Sequence, residues 1–388
     1  MASFVQVPHI MWRNMAWIAG CLGAAACGNT GDTCGGVVQV VSPSSSRESG
    51  ALQAGVLLSR SHDFATPIES IVTARPDGSV LCMTCSGTVL FDPRLNEKGH
   101  IDTGSSTQIA IAPDGAFYAL IPGAPSGTAK LVAFSAANEL RWTESIPTDS
   151  NGILARTEGP YVQSALTIRG FDALTGEPRS VATVEGGLVA AARGSLFTLD
   201  GSGRGGETLR RLDLTGNVLW SHAITVMNDG LLFIQGAVAT ADDGMIVFGS
   251  CSSTVDFGDR TLPCGAWFVA GFDASGATQG AFAFSTYTTR IALTAQGEIL
   301  LAGQSSPPGA GDRTDALLSV ATLAGISRTI HIDGPGAQVI VGLAATPDGL
   351  AWIAVSNYKD DDIGPKPVMH IGSLTFAETG VYLFKIAP

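Results

Sequence analysis

The cysteines and histidines are where redox, metal or nucleophilic chemistry would start in this 388-residue chain. Cys82-Met-Thr-Cys85 has the CxxC spacing of redox motifs and half-zinc sites. It follows an Asp77-Gly78 turn and reads as a strand, where positions i and i+3 face opposite sides, so pairing needs a bulge or turn. No second CxxC exists to complete a zinc site. The spacing predicts two structural cysteines, with a local disulfide at the strand end as the alternative. Cys251 and Cys264 flank Asp256-Phe-Gly-Asp259; if the segments around that turn pair as a hairpin, the two cysteines oppose each other and form a disulfide. A metal pair there lacks histidine partners. His62, His222 and His331 share one repeat position, an outer strand, which spreads them around a rim instead of gathering them as a triad. Lys359-Asp-Asp-Asp362 lacks the alternation and distal Glu of a calcium loop and reads as solvated. Gly201-Ser-Gly-Arg-Gly-Gly206 lacks the Lys-Ser/Thr of a phosphate loop and reads as a hairpin turn. Neither G-x-S-x-G nor H-E-x-x-H occurs. No catalytic, cofactor-binding or metal-binding residue is nominated.

The charge balance narrows the partners. The formal net charge is −12, from 34 acidic and 22 basic residues. Nucleic-acid binding needs Lys and Arg to neutralise phosphates, and this balance argues against it. It also disfavours electrostatic docking to anionic lipid. Charged residues make up only 14% of the chain and glycines number 48, a composition of short strands joined by tight turns.

The N-terminus reads as an export signal. Arg13 is the only formal charge before Asp32, and an apolar run over residues 15–26 follows it. A membrane span takes about 20 apolar residues, so this run fits a secretory signal better. Small residues before a cysteine resemble the lipobox of bacterial lipoproteins, at Ala24-Ala25-Ala26-Cys27 and at Ile18-Ala19-Gly20-Cys21. Cys27 is the expected lipid attachment site because it leaves the apolar run its fuller length; Cys21 is the alternative. The expected organisation is a signal over 1–27, a disordered tether over 28–51, and one folded domain over 52–388. Within the Ser/Gly/Pro-rich tether, Val37-Val-Gln-Val-Val41 reads as a small strand or a sticky patch. Cleavage at Cys27 leaves Cys34, Cys82, Cys85, Cys251 and Cys264, an odd number, so at least one is unpaired within a monomer.

From about residue 52 the chain repeats. Asp77-Gly78, Asp114-Gly115, Glu158-Gly159, Arg193-Gly194, Asp243-Gly244, Gln296-Gly297 and Asp348-Gly349 are turn signals flanked by alternating apolar residues, at intervals of 35 to 53 residues. Propeller blades repeat at roughly 40–50 residues. A second turn follows in each repeat, as in Phe171-Asp-Ala-Leu-Thr-Gly176 and Leu212-Asp-Leu-Thr-Gly-Asn-Val-Leu-Trp220. Two hairpins make a four-stranded sheet, which cannot bury both faces alone and must stack in a ring. The expected fold is all-β, a single β-propeller of about seven four-stranded blades. The last repeat stops one strand short, and residues 55–64 resemble the missing strand. They are expected to complete the final blade and hide its edge.

Val255-Asp-Phe-Gly-Asp-Arg-Thr-Leu-Pro-Cys-Gly-Ala-Trp-Phe-Val-Ala-Gly-Phe-Asp-Ala-Ser-Gly276 resembles the repeat of bacterial SBBP-type propellers. Ile371-Gly-Ser-Leu-Thr-Phe-Ala-Glu-Thr-Gly-Val-Tyr-Leu-Phe-Lys385 is a looser copy. Leu212–Trp220 also resembles a quinoprotein-type repeat. The resemblance implies a propeller and carries no common activity or functional residues.

These readings predict a non-enzymatic lipoprotein of the cell envelope, in the outer membrane, whose propeller binds an envelope protein or glycan and whose only membrane contact is the N-terminal lipid. The insertions over 305–315 and 357–370 are the expected binding loops. The alternative is an enzyme with a central-channel site, a quinone-dependent dehydrogenase or a lyase.

Overall fold

Each of the seven turn signals joins the first strand of a four-stranded antiparallel sheet to its second. The computed structural model of the protein describes residues 40–41, 52–59, 72–84, 87–103, 108–121, 128–192, 194–201, 205–305, 314–358, 368–371, 374–376 and 380–386, all within one unit, Cys34–Pro388. Among them there is no helix.

The sheets are the blades of a propeller. Their innermost strands are Val72–Ala74, Gln108–Ile111, Ser150–Arg156, Gly187–Ala192, Leu232–Ala239, Tyr287–Leu293 and Ala337–Ala345. Each touches the next, and the seventh touches the first, which closes the ring. A separate apolar cluster fills every gap between neighbouring blades. The middle strands therefore face apolar surroundings on both sides and lose their alternation: every residue of Trp267–Phe272 and of Gly380–Ile386 is buried. The outer strands keep it, as in Pro178–Thr183.

The third and fourth turn signals look degenerate because their turns are tighter. Arg156 pairs with Gly159 and Ala192 with Ser195, leaving two-residue links where the first blade has a five-residue link over 75–79. Gly159 has φ +135°, and a Cβ there would lie 2.0 Å from the Phe171 carbonyl oxygen. Elsewhere aspartates cap the turns. Asp213 Oδ1 accepts the N–H of Thr215 (2.8 Å) and of Asn217 (2.9 Å), and Asp273 does the same for Ser275 (2.8 Å) and Ala277 (3.0 Å).

On this turn face long cations and tryptophans staple several blades to the next. Arg75 Nη2 donates to the carbonyls of Gly115 (2.8 Å) and Ala136 (2.9 Å) in the second blade. Trp142 and Trp220 each donate an indole N–H to the following blade, to Ala173 and Ala274, at 3.1 Å in both cases. Across the closure, Lys385 lies 3.5 Å from the Pro93 carbonyl and 5.5 Å from the Trp352 ring centre.

The closing strand is Leu52–Ser59, which pairs antiparallel with Gly380–Ile386 of the seventh blade. The expectation of 55–64 had the right partner but began too late; residues 60–64 lie outside the described residues. Val40–Val41 forms a short strand on the outside of Leu52–Ser59.

Two blades carry an extra hairpin between their second and third strands. Val255–Asp256 and Thr261–Leu262 leave the fifth blade and extend the outer edge of the fourth, Val255 pairing with Val226. Met369–Ile371 and Leu374–Phe376 leave the seventh and extend the sixth, Ile371 pairing with Ile332.

Candidate binding face

A propeller offers two places for function, its central channel and its loop faces. The seven channel-lining strands contain no Asp, Glu, His, Cys or Lys, in a chain that holds 34 acidic residues. Their only charged side chains are Arg156 and Arg290. Arg156 is buried against Glu158, with Nε to Oε1 at 2.5 Å. Arg290 Nη1 donates to the Thr289 carbonyl at 3.2 Å. Five of these strands bulge, with register shifts at Ser150/Gly152, Leu188/Ala190, Ile234/Gly236, Thr288/Arg290 and Ile340/Gly342. The extra residues are Asn151, Val189, Gln235, Thr289 and Val341, uncharged at every level. General acid–base chemistry needs a titratable group within reach of the reacting atom; apart from the two arginines, these strands supply only the Tyr287 phenol.

Several aspartates sit at the turns, where the backbone uses them. Hydrogen bonds from Thr215 and Asn217 hold the Asp213 carboxyl well below the usual carboxylate range, and those from Ser275 lower Asp273. Desolvation acts upward on Asp92, yet hydrogen bonds from Asn96, Arg94 and Lys98 hold it at about 2. Among the described residues no three His, Cys, Asp or Glu side chains gather as a metal site.

The opposite face differs. Antiparallel order puts every link between second and third strands, and every link between blades, on this face. Both insertions singled out in the sequence, 305–315 and 357–370, open here, on the neighbouring sixth and seventh blades; residues 306–313 and 359–367 lie outside the described residues. The link over 252–266 of the fifth blade opens here too. Its hairpin is stapled at the root by a disulfide between Cys251 and Cys264, whose Cα atoms are 5.9 Å apart. Beside it, Trp267 and Tyr287 from adjacent blades meet edge to face, with ring centres 5.0 Å apart. Trp267 is buried, whereas Tyr287 is 37% exposed at the channel mouth. Desolvation of that phenol raises its pKa.

One blade gap further on, the apolar packing between the sixth and seventh blades ends in a polar seam. Gln338 and Asn357 are fully buried and joined by an Nε2 to Oδ1 hydrogen bond of 3.1 Å. The Gln338 N–H donates to the Thr314 carbonyl at 2.8 Å. Gln338 Oε1 and Thr314 Oγ1 are buried acceptors without a protein partner. Sequence reasoning missed both the aromatic pair and this seam. Trp267 and Tyr287 lie on different blades, and Gln338 and Asn357 are a cross-strand pair of one hairpin in the seventh blade with no motif around them.

The other sequence candidates stay apart. Cys82 is a fully buried free thiol between the seventh and first blades, so the local disulfide allowed by the CxxC spacing is not formed; burial pushes its pKa far up. Cys85, His62, Cys21, Cys27 and residues 359–362 lie outside the described residues. His222 and His331 sit on the outer strands of the fourth and sixth blades, as the repeat position implied.

The fold defines the class: a seven-bladed β-propeller with an N-terminal closing strand. No family model and no curated protein matches the sequence. Among solved structures the chain is similar to one from hydrazine synthase of Kuenenia stuttgartiensis, with TM-score 0.53 and 12% identity over 74% of this chain and 93% of that one. It is also similar to a chain of a mitotic checkpoint complex, with TM-score 0.54 and 8% identity over 89% of this chain and 96% of that one. A looser likeness, TM-score 0.46 and 13% identity over 87% and 99% of the two chains, is to BamB from Moraxella catarrhalis. At such identities the likeness concerns the fold alone.

Proposed function

We propose that the protein is a lipid-anchored binding propeller of the bacterial cell envelope, held in the outer membrane through Cys27, or alternatively Cys21. In this reading it engages an envelope protein or glycan on the insertion-bearing face of its fifth to seventh blades. The observation that carries the reading is the chemistry of the channel strands. A scaffold needs no carboxylate, imidazole, thiol or amine there, whereas acid–base chemistry in the channel draws on such groups. The aromatic pair supports the same face, since a half-exposed Tyr backed by a buried Trp offers a rigid anchor for either partner class. The likeness to SBBP-type repeats has a structural counterpart. The first of the two segments that carry it contains the hairpin that adds to the outer edge of the fourth blade, and the second contains Ile371 and Leu374–Phe376 of the hairpin that adds to the sixth.

Two experiments test the proposal. Mass spectrometry of the mature N-terminus should find a diacylglyceryl group on Cys27 or Cys21; its absence from both would remove the anchor. Affinity capture from solubilised envelopes, repeated with Tyr287→Ala and with both insertions shortened, should retain a partner only on the parent protein. Capture that ignores all of these changes would place the binding surface elsewhere. A bound quinone absorbance in purified protein would overturn the non-enzymatic reading.

A further inference from the structure

The surroundings of Tyr287 share one chemistry. Three segments meet on the insertion-bearing face there: residues 250–254 of the fifth blade, 285–289, which lead from the fifth blade into the sixth, and 303–305 of the sixth. Ser250 pairs with Trp267, and Gln304 pairs with Tyr287. Apart from Tyr287, Cys251 and Gly303, every residue in these segments is Ser, Thr or Gln, and none carries a charge. The fifth-blade link does hold charged residues, but Asp256, Asp259 and Arg260 leave with the hairpin for the outer edge of the fourth blade. Arg290, three positions after Tyr287 on the channel strand, acts on the phenol to lower its pKa, and desolvation outweighs it.

The ring itself is held in place. Trp267 meets it edge to face. Thr288 Oγ1 donates to the Thr286 carbonyl at 3.3 Å. A Cβ at Gly303 would lie 2.2 Å from the Tyr287 carbonyl oxygen, so only glycine lets the two strands approach this closely. A fixed aromatic ring among hydroxyls and amides matches a sugar in two ways. The ring packs against the C–H face of a pyranose, and hydroxyls and amides both donate and accept, as sugar hydroxyls do. It matches a protein less well. The buried core of a protein interface is about 65% apolar. Among the described residues, Tyr287 is the one large hydrophobic side chain with substantial exposure on this face of the fifth to seventh blades. Charge decides between sugars. The net charge of −12 repels an acidic polymer. The cation that acts on this ring, Arg290, gives Nη1 to the Thr289 carbonyl at 3.2 Å.

We infer that Tyr287 is the stacking platform of a neutral-glycan site at the channel mouth, where the hydroxyls and amides of the fifth and sixth blades hydrogen-bond the sugar. The inference rests on the binding-face reading of the fifth to seventh blades and names its ligand class, an uncharged hexose oligosaccharide.

The probes are cellohexaose, maltohexaose, laminarihexaose and mannohexaose, with hexagalacturonate as the acidic counterpart. At least one neutral probe should bind the full chain with a sub-millimolar dissociation constant and bind more tightly than hexagalacturonate. Tyr287→Ala should weaken binding by at least about tenfold and leave thermal melting unchanged. Tyr287→Phe keeps the ring and should stay within about threefold of the parent. If the Ala variant melts early, saturation transfer from aromatic protons of the parent protein to the sugar C–H protons takes its place as the test. Binding of none of the four, binding indifferent to Tyr287→Ala, no saturation transfer, or tighter binding of hexagalacturonate would overturn the inference. Envelope capture separates this failure from that of the face. A protein retained by the parent and lost with Tyr287→Ala, with no sugar bound, keeps the face and rejects the glycan. Capture and sugar binding that both ignore Tyr287→Ala and the shortened insertions reject both.

Discussion

At the residue scale, the polar side chains that looked available for chemistry are mostly spent on turns. Asp92, Asp172, Asp213 and Asp273 each accept backbone N–H groups within their own turn, and each titrates below the usual carboxylate range. The sign of the consequence is fixed. A carboxyl whose folded pKa is depressed contributes stability above its unfolded pKa and loses that contribution as pH falls through the folded value. Thermal melting should therefore be flat above about pH 4 and fall steadily from there toward about pH 2. Replacing Asp92 and Asp213 with Ala should lower the melting temperature at neutral pH and shrink that acid slope; an unchanged slope would refute the capping role. Trp142 gives a sharper case. It packs into the gap between the second and third blades, donates to the Ala173 carbonyl, and lies over Gly176, where a Cβ would come within 2.7 Å of the indole. Trp142→Ala should cost about 3–5 kcal/mol in urea denaturation. Trp142→Phe keeps most of the packing and should cost about 1 kcal/mol for the lost hydrogen bond.

At the scale of elements, the hairpin between Cys251 and Cys264 shows what sequence can and cannot carry. The thirteen-residue separation and the Asp256-Phe-Gly-Asp259 turn were enough to pair the cysteines. Nothing in that spacing said that the hairpin leaves its own blade and adds to the fourth. That destination depends on which edge lies within reach, a property of ring order. The same reason hid the Trp267–Tyr287 pair, which joins two blades, while the Gln338–Asn357 pair lies within one hairpin and has no motif around it. Turn chemistry was legible because it is local: an Asp two and four residues before N–H donors announces itself. Where the turn shortened to two residues, at Glu158 and Arg193, the signature blurred while the strands on either side stayed apolar. The disulfide yields its own test. Reduction should add two hydrogens to the intact mass and destabilise the protein by roughly 3 kcal/mol, the loop-closure value for a span of this size. Exchange should quicken first at Thr225 and Val226, where the hairpin meets the fourth blade. A mass unchanged by reductant would reject the pairing.

At the scale of the whole molecule, stability depends on ring closure, because no blade owns a core. Each apolar cluster is shared by two blades, so opening the ring at one gap exposes two faces at once. The repeat period and the strand missing from the last repeat made this closure visible before any coordinates, since a three-stranded final blade beside a spare N-terminal strand has one economical solution. Its register was not visible: the pairing of Leu52–Ser59 shifts twice along Gly380–Ile386, and alternation alone does not fix where such irregularities fall. Removing Leu52–Ser59 strips the outer strand from the seventh blade and leaves Gly380–Ile386, buried along its whole length, as an open edge between the clusters that join that blade to the sixth and the first. The deletion should therefore not behave as the loss of one peripheral strand. It should lower the melting temperature of the whole ring, broaden the transition, and raise amide exchange in the first and sixth blades as well as the seventh. A strand of the same sequence fused after Ile386 through a short Gly/Ser linker should restore the parent behaviour, because pairing with Gly380–Ile386 requires the strand and not its position in the chain. Melting that is unaffected by the deletion, or exchange that rises in the seventh blade alone, would show that the ring holds without its clasp.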